Sequence, residues 1–214
     1  MIKMGWNYYN SQTQADKSAN FSFDTSRYLT DGSSLKYDPN NSDYVVAIND
    51  TEVTDNTSVM LRMRFYNPTY AECGSSTYRI GLHFGGRWSG GDYEYAGLMY
   101  YYRNNAIHSL HVGWFDNNGT PASLSNYNFS ASPLSDSTWY GLELKTKKTN
   151  NTYTTSYGNQ LEAKIYNSDF LSNLVSLSIN YTFYNYNTFG FFLRNGSASG
   201  DQWIDSFEIY EPIE

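Results

Sequence analysis

Along much of this chain apolar and polar side chains alternate one by one. Between residues 57 and 66, Val59, Leu61, Met63 and Phe65 take one parity, and Met60, Arg62, Arg64 and Tyr66 take the other. Successive side chains of an extended strand point to opposite faces, so the first set is assigned to a core and the second to the outside. Residues 77–84 repeat the pattern, with Tyr78, Ile80, Leu82 and Phe84 against Arg79, Gly81 and His83. So do residues 138–147, with Tyr140, Leu142 and Leu144 opposed to Trp139, Glu143, Lys145 and Lys147, and residues 160–167, with Leu161, Ala163 and Ile165 inward. Further strands are predicted at 19–24, 33–38 and 44–49. A hairpin of 93–103 and 105–115 is predicted to turn at Asn104-Asn105, and two closing strands surround Phe191 and Ile204. The stretch 171–184 reads as either strand or loop. No window sustains a 3.6-residue apolar period, so almost no helix is expected. Roughly eleven to thirteen short strands at this spacing mean a sandwich or barrel. Residues 1–18 carry Trp6, Tyr8 and Tyr9 without a clear period and read as an arm or lead-in. Residues 19–214 read as a single β-sandwich domain, because no repeat or shift in composition divides them.

Composition narrows the partners. Aromatic residues make up 18% of the 214 residues, with 22 Tyr, while charged residues make up 16% and the net charge is −7. Tyr, Phe, Trp and Thr suit a pleated, half-buried surface, and Asn and Gly suit its turns. The acidic balance argues against nucleic acid, which needs Lys and Arg to displace counterions. No run approaches the roughly eighteen apolar residues of a membrane span, so membrane insertion is not expected. No signal peptide is visible around Met1–Trp6. Cys73 stands alone, so no internal disulfide can form.

Three places carry a resemblance. Asp31-Gly32-Ser33-Ser34-Leu35-Lys36-Tyr37 reads as an early Gly-Ser-Leu-Lys strand. Trp139-Tyr140-Gly141-Leu142-Glu143-Leu144 and Leu161-Glu162-Ala163-Lys164-Ile165-Tyr166 read as a paired hairpin. Phe189-Gly190-Phe191 with Asp205-Ser206-Phe207-Glu208-Ile209 reads as the close. Over roughly residues 20 to 212 the chain resembles the concanavalin A-like, or laminin-G-like, superfamily. The resemblance implies an all-β, antiparallel two-sheet β-sandwich (a jelly roll) with first and last strands adjacent. Lectins, carbohydrate-binding modules, glycoside hydrolases, polysaccharide lyases and phage or virus surface proteins share that fold, so function has to be argued from the site.

Glycoside hydrolysis needs two carboxylates about 5 to 10 Å apart. Asp92 and Glu94 have strand spacing but no third acid, and Glu208 and Glu211 do not share a strand face. A lyase needs a base and a cluster that neutralises a carboxylate. His83, His108, His111, Arg62, Arg64 and Arg79 supply those residue types, and Arg62, Arg64, Arg79 and His83 would share one basic surface if their strands pair. Sugar binding without catalysis needs aromatic platforms with planar hydrogen-bonding groups. Arg87 and Trp88, set in the Gly-rich stretch 85–91, together with Tyr93 and Tyr95, form the best such cluster. No cofactor is called for. Calcium, if held, would use loop oxygens, with Asp205 and Asp116 as the ligands. The reading is a non-enzymatic extracellular or virion-surface protein, oligomeric, whose partners are other subunits of an assembly or a cell-surface glycan. The alternatives are a carbohydrate-binding module of a secreted enzyme, and a lyase or hydrolase using the Arg/His face.

Overall fold

The computed structural model describes residues 6–38, 44–49, 59–69, 71–72, 77–90, 92–103, 107–116, 120–131, 133–147, 160–180, 189–195 and 200–210. Among them the alternating segments form fourteen strands: β1 (Trp6–Asn10), β2 (Phe21–Asp24), β3 (Ser34–Tyr37), β4 (Tyr44–Asn49), β5 (Met60–Asn67), β6 (Thr77–Ser89), β7 (Asp92–Arg103), β8 (Ile107–Asp116), β9 (Thr120–Asn128), β10 (Thr138–Lys147), β11 (Gln160–Asn167), β12 (Asn173–Asn180), β13 (Phe189–Asn195) and β14 (Gln202–Tyr210). The helical content of the described residues is one 3₁₀ turn, Ser18–Asn20. Two seven-stranded sheets result. Sheet A runs β1-β4-β13-β6-β7-β8-β9 and sheet B runs β12-β11-β10-β5-β14-β3-β2. The expected all-β, antiparallel sandwich is what forms. The predicted turn residues 104–105 and 117–119, and Cys73, lie outside the described residues.

The core lies between the sheets and is built from the parity that the pattern assigned inward. Leu61, Met63 and Phe65 of β5 face Tyr78, Ile80, Leu82 and Phe84 of β6 across it, joined by Leu142 and Leu144 of β10. Burying each such side chain contributes about 1.5–3 kcal/mol. Tyrosines enter the core because their hydroxyls find acceptors there. Tyr78 donates to the Tyr66 carbonyl at 3.0 Å, and Tyr100 donates to Asn67 Oδ1 at 3.1 Å.

The last strand sits where its strength suggested. Ile204 of β14 lies opposite Leu35 of β3 on one side and Phe65 of β5 on the other. Residues 6–10, read from the sequence as part of an arm or lead-in, instead pair with β4 as the edge of sheet A. The reason is aromatic burial. Trp6 packs on Phe189, Phe191 and Phe207, and Tyr8 stacks on Phe21 at 4.0 Å.

The connection from β5 to β6 divides the basic residues. The two strands are consecutive in sequence but belong to opposite sheets. Arg62 and Arg64 therefore lie on the outer face of sheet B, and Arg79 and His83 on the outer face of sheet A. The single basic surface that pairing of these strands would have made does not form.

Candidate functional site

The outer face of sheet A is made by the residues whose parity opposes the core: Gly81 and His83 on β6, Gly190 and Phe192 on β13, Val46 and Ile48 on β4, Gly97 and Met99 on β7. One half of this face is a second apolar cluster of Tyr44, Val46, Ile48, Tyr93, Tyr95, Met99, Phe115 and Phe192, with Tyr9 and Trp88 packed on it. The β6–β7 hairpin covers it. The register of the pair slips between Phe84 and Arg87, and beyond that irregularity the hairpin end crosses the sheet. The Tyr93 N–H donates to the Ser11 carbonyl at 2.7 Å, just past the end of β1, although β4, β13 and β6 separate β1 from β7 in the sheet. Trp88 closes edge-on against Tyr9 and Tyr93. Gly86 permits this fold-back, since a Cβ there would lie 1.9 Å from the Tyr93 hydroxyl.

His83 lies under this cover, 0% exposed, against the rings of Tyr93 and Tyr95. Its Nε2 donates to the Ala47 carbonyl at 3.0 Å. To do so it passes over Gly190, where a Cβ would stand 2.9 Å from that nitrogen and 1.9 Å from the Ala47 oxygen. Nδ1 meets no hydrogen-bond partner among the described residues. Burial pushes the imidazole down to about 4, against the smaller opposing effect of the Ala47 hydrogen bond. His83 is thus neutral at pH 7 and shielded from any ligand. Tyr93 and Tyr95, expected as sugar platforms, are 1% exposed and serve as its roof. Trp88 is partly buried against the same cluster. Arg87 belongs to β6 by its backbone, opposite Glu94, and its side chain lies outside those described.

The other half of the face is basic. Arg79 of β6 is the register partner of Arg194 of β13, which in turn lies opposite Tyr44 of β4. The Arg194 guanidinium sits 3.9 Å from the Tyr44 ring centroid, and that of Arg79 lies 6.0 Å from it. From sheet B, buried Gln202 donates to the carbonyls of both arginines, at 2.9 Å to Arg79 and 3.4 Å to Arg194. Next along the strip His111 of β8 shares a hydrogen bond with Ser109 Oγ (2.7 Å to Nε2). Burial, and then the charge of Arg79, hold His111 down to about 4. Two guanidiniums and a neutral imidazole thus line one end of sheet A. His111 was named from the sequence by residue type but not placed on this strip, and Arg194 was not singled out. The signal was present in the parity of β13, where Gly190, Phe192 and Arg194 oppose the inward Phe189, Phe191 and Leu193.

On sheet B the outward arginines are structural. Arg62 binds Glu143 Oε2 at 2.8 Å through Nε and 2.7 Å through Nη2, and Lys164 and the Tyr166 hydroxyl approach the other carboxylate oxygen at 3.7 and 3.3 Å. Arg64 donates to the Ser168 carbonyl and Ser206 Oγ, both at 2.7 Å, and to Glu208 at 3.4 Å. Both guanidiniums lie over the ring of Phe170, which caps Gly141 from a left-handed backbone position with φ of 62°. Asp205 accepts from the backbone N–H groups of Leu29 (2.7 Å) and Thr30 (2.9 Å) and from the Thr30 hydroxyl, so it fastens the loop before β3. Asp116 ends β8, and its side chain lies outside those described. Among the described residues no three His, Cys, Asp or Glu side chains gather in a way that could hold a metal ion.

No family model and no curated protein matches this chain. Solved structures do. A marine PL-14 alginate lyase from Aplysia kurodai superposes with a TM-score of 0.58 at 12% identity, over 91% of this chain and 88% of the lyase. A legume lectin-like domain from Entamoeba histolytica gives 0.56 at 14% identity over 91% of each chain. Peanut lectin gives 0.53 at 7% identity over 97% of each chain. At such identities the likeness concerns the fold, and the fold is a concanavalin A-like β-sandwich.

Proposed function

We propose that this protein binds an acidic glycan without cleaving it, on the basic half of the outer face of sheet A. The observation that carries the reading is the side-by-side placement of Arg79 and Arg194 on adjacent strands, with Arg194 laid on Tyr44. A guanidinium presents a planar fork that matches a carboxylate, and stacking on an aromatic ring holds that fork in place before the ligand arrives. Gln202 grips both strands from below, which fixes the spacing of the two forks. Lectins and an alginate lyase share the fold, and alginate is a polymer of uronic acids with a carboxylate on every sugar. Binding rather than catalysis is favoured because His83, the histidine on the β6 strip, is neutral and sealed beneath Tyr93 and Tyr95.

A lyase is the second reading, because His111 of β8 lies within reach of the Arg79 charge and could act as a base near a neutralised carboxylate. One experiment separates the two. Oligouronates and neutral oligosaccharides of equal length are titrated calorimetrically into the wild type, Arg79→Ala and Arg194→Ala, while ultraviolet absorbance follows any unsaturated product. The expected result is binding of the acidic oligomer alone, weakened roughly tenfold or more by either substitution, with no absorbance change. Unsaturated product that is lost in His111→Ala would favour the lyase. Equal binding of neutral and acidic sugars, unaffected by either substitution, would mean that the arginine pair takes no part in recognition.

A further inference from the structure

The three histidines of this chain differ in what a proton would meet. His83 is sealed beneath Tyr93 and Tyr95. His108 is buried against Tyr102 and Phe129, with Nδ1 2.8 Å from the Tyr100 hydroxyl. His111 is half-buried on the outer face of sheet A, where solvent reaches it. Its Nε2 lies 2.7 Å from Ser109 Oγ. A hydroxyl both donates and accepts, so Ser109 can donate to the neutral ring and accept from the imidazolium. A charge can therefore appear at His111 without loss of that contact. The register partners of His111 are Met99 of β7 and Asn126 of β9. Arg79 of β6 is the charge that reaches it, and Arg194 of β13 lies opposite Arg79. Tyr101 and Arg103 follow Met99 at the same parity of β7, and their side chains lie outside those described. No Asp or Glu takes this parity over 79–83 of β6, 95–103 of β7, 107–115 of β8 or 124–128 of β9. Among the described residues the charges on this part of the face are Arg79 and Arg194.

We propose that His111 is the third group of the acidic-glycan site and takes up a proton as the glycan binds, so that the protein holds its ligand more tightly in mild acid. That role presupposes acidic-glycan binding at Arg79 and Arg194. Without ligand, burial and then the charge of Arg79 hold the imidazole down to about 4. A carboxylate seated on Arg79 offsets that charge and brings an anion to the same part of the face. An opposite charge within about 4–6 Å favours the charged form of a titrating group, so both changes raise the proton affinity of His111. Linkage then requires the reverse by the same factor: the protonated protein binds the glycan more tightly than the neutral one. The complex carries more protons than the free protein, so affinity grows as the pH falls. The uronate itself stays mostly ionised at pH 5, above the roughly 3.5–4.3 at which carboxylic acids titrate. A ring that gains a proton on binding cannot serve as the base that removes one, so the same step disfavours cleavage.

The test titrates an oligouronate calorimetrically into the wild type and His111→Gln at pH 7 and pH 5. Ionic strength is fixed, each pH is run in two buffers of different ionisation enthalpy, and circular dichroism confirms that both proteins are folded. The wild type is expected to bind about threefold or more tightly at pH 5. The difference between buffers is expected to show net proton uptake at pH 5. His111→Gln is expected to take up no proton and to lose the pH dependence, whatever its affinity at pH 7. Equal wild-type affinity at the two pH values, without proton uptake, overturns the proposal and leaves the acidic-glycan reading standing. The same uptake in His111→Gln also overturns it, because another group then carries the proton. No binding of the oligouronate at either pH overturns both.

Discussion

The two outer faces of this sandwich use the same residue type for opposite ends. On sheet B, Arg62 and Arg64 point outward by strand parity and are tied to Glu143 and Glu208, with the Phe170 ring beneath both. On sheet A, Arg79 and Arg194 point outward by the same rule, yet their register places one guanidinium beside the other and Tyr44 alongside. Parity says only that a side chain leaves the core. What it meets there depends on the neighbouring strand. β10 brings Glu143 opposite Arg62, whereas β13 brings Arg194 opposite Arg79. A cation across from an anion becomes scaffold, and the proposed acidic-glycan site rests on the place where a cation stands across from a cation.

The contrast can be tested from its strongest element down. Glu143→Ala should cost the most, because it leaves Arg62 partly buried without its carboxylate. A loss of about 3 kcal/mol in urea unfolding is expected, and a loss below about 1 kcal/mol would mean that the sheet B network is solvated decoration. Acid comes next and acts on sheet A. The folded imidazole of His83 sits near 4, below the ordinary 6.5, so the protein holds this stability in full above about pH 6.5 and loses it as the pH falls toward 4. The loss from His83 amounts to about 2–3 kcal/mol, and His111, depressed to about 4 as well, adds to it with the same sign. His83→Gln keeps a donor toward Ala47 and should flatten much of that slope. An unchanged slope would mean that His83 reaches solvent. Smallest in stability is Arg194→Ala, expected to shift unfolding by less than about 1 kcal/mol while weakening acidic-glycan binding. A shift as large as that of Glu143→Ala would erase the difference between the faces.

Much of the fold was legible because strand parity is local. The inward sets of β5, β6, β10 and β11 all read correctly from alternation, and the closing strand found the early Leu35 segment as expected. β12 was ambiguous because none of its residues is charged, so polar and apolar positions contrast weakly. The site was less legible. His83 and the Tyr93/Tyr95 pair were picked for the right neighbourhood. Whether they faced solvent depended on a hairpin folding back over them, and that latch runs from Tyr93 to Ser11, across the three strands that separate β7 from β1. Arg194 went unselected because it is one polar residue ending an aromatic strand, and its importance lies wholly in its cross-strand partner.

From its own alternation, the sequence determined that the chain is made of strands, which side chains those strands bury, and that two faces remain to be used. Pleat geometry enforces this within a few residues, and no distant contact can change it. Only the tertiary structure decided which strands became neighbours. It sent β5 and β6 to different sheets, dividing four basic residues between two faces. It also folded the β6–β7 hairpin over His83 and set β12 at one end of sheet B. Those outcomes rest on pairings between residues tens to hundreds of positions apart, chosen by the packing of the whole core rather than by any segment of the chain.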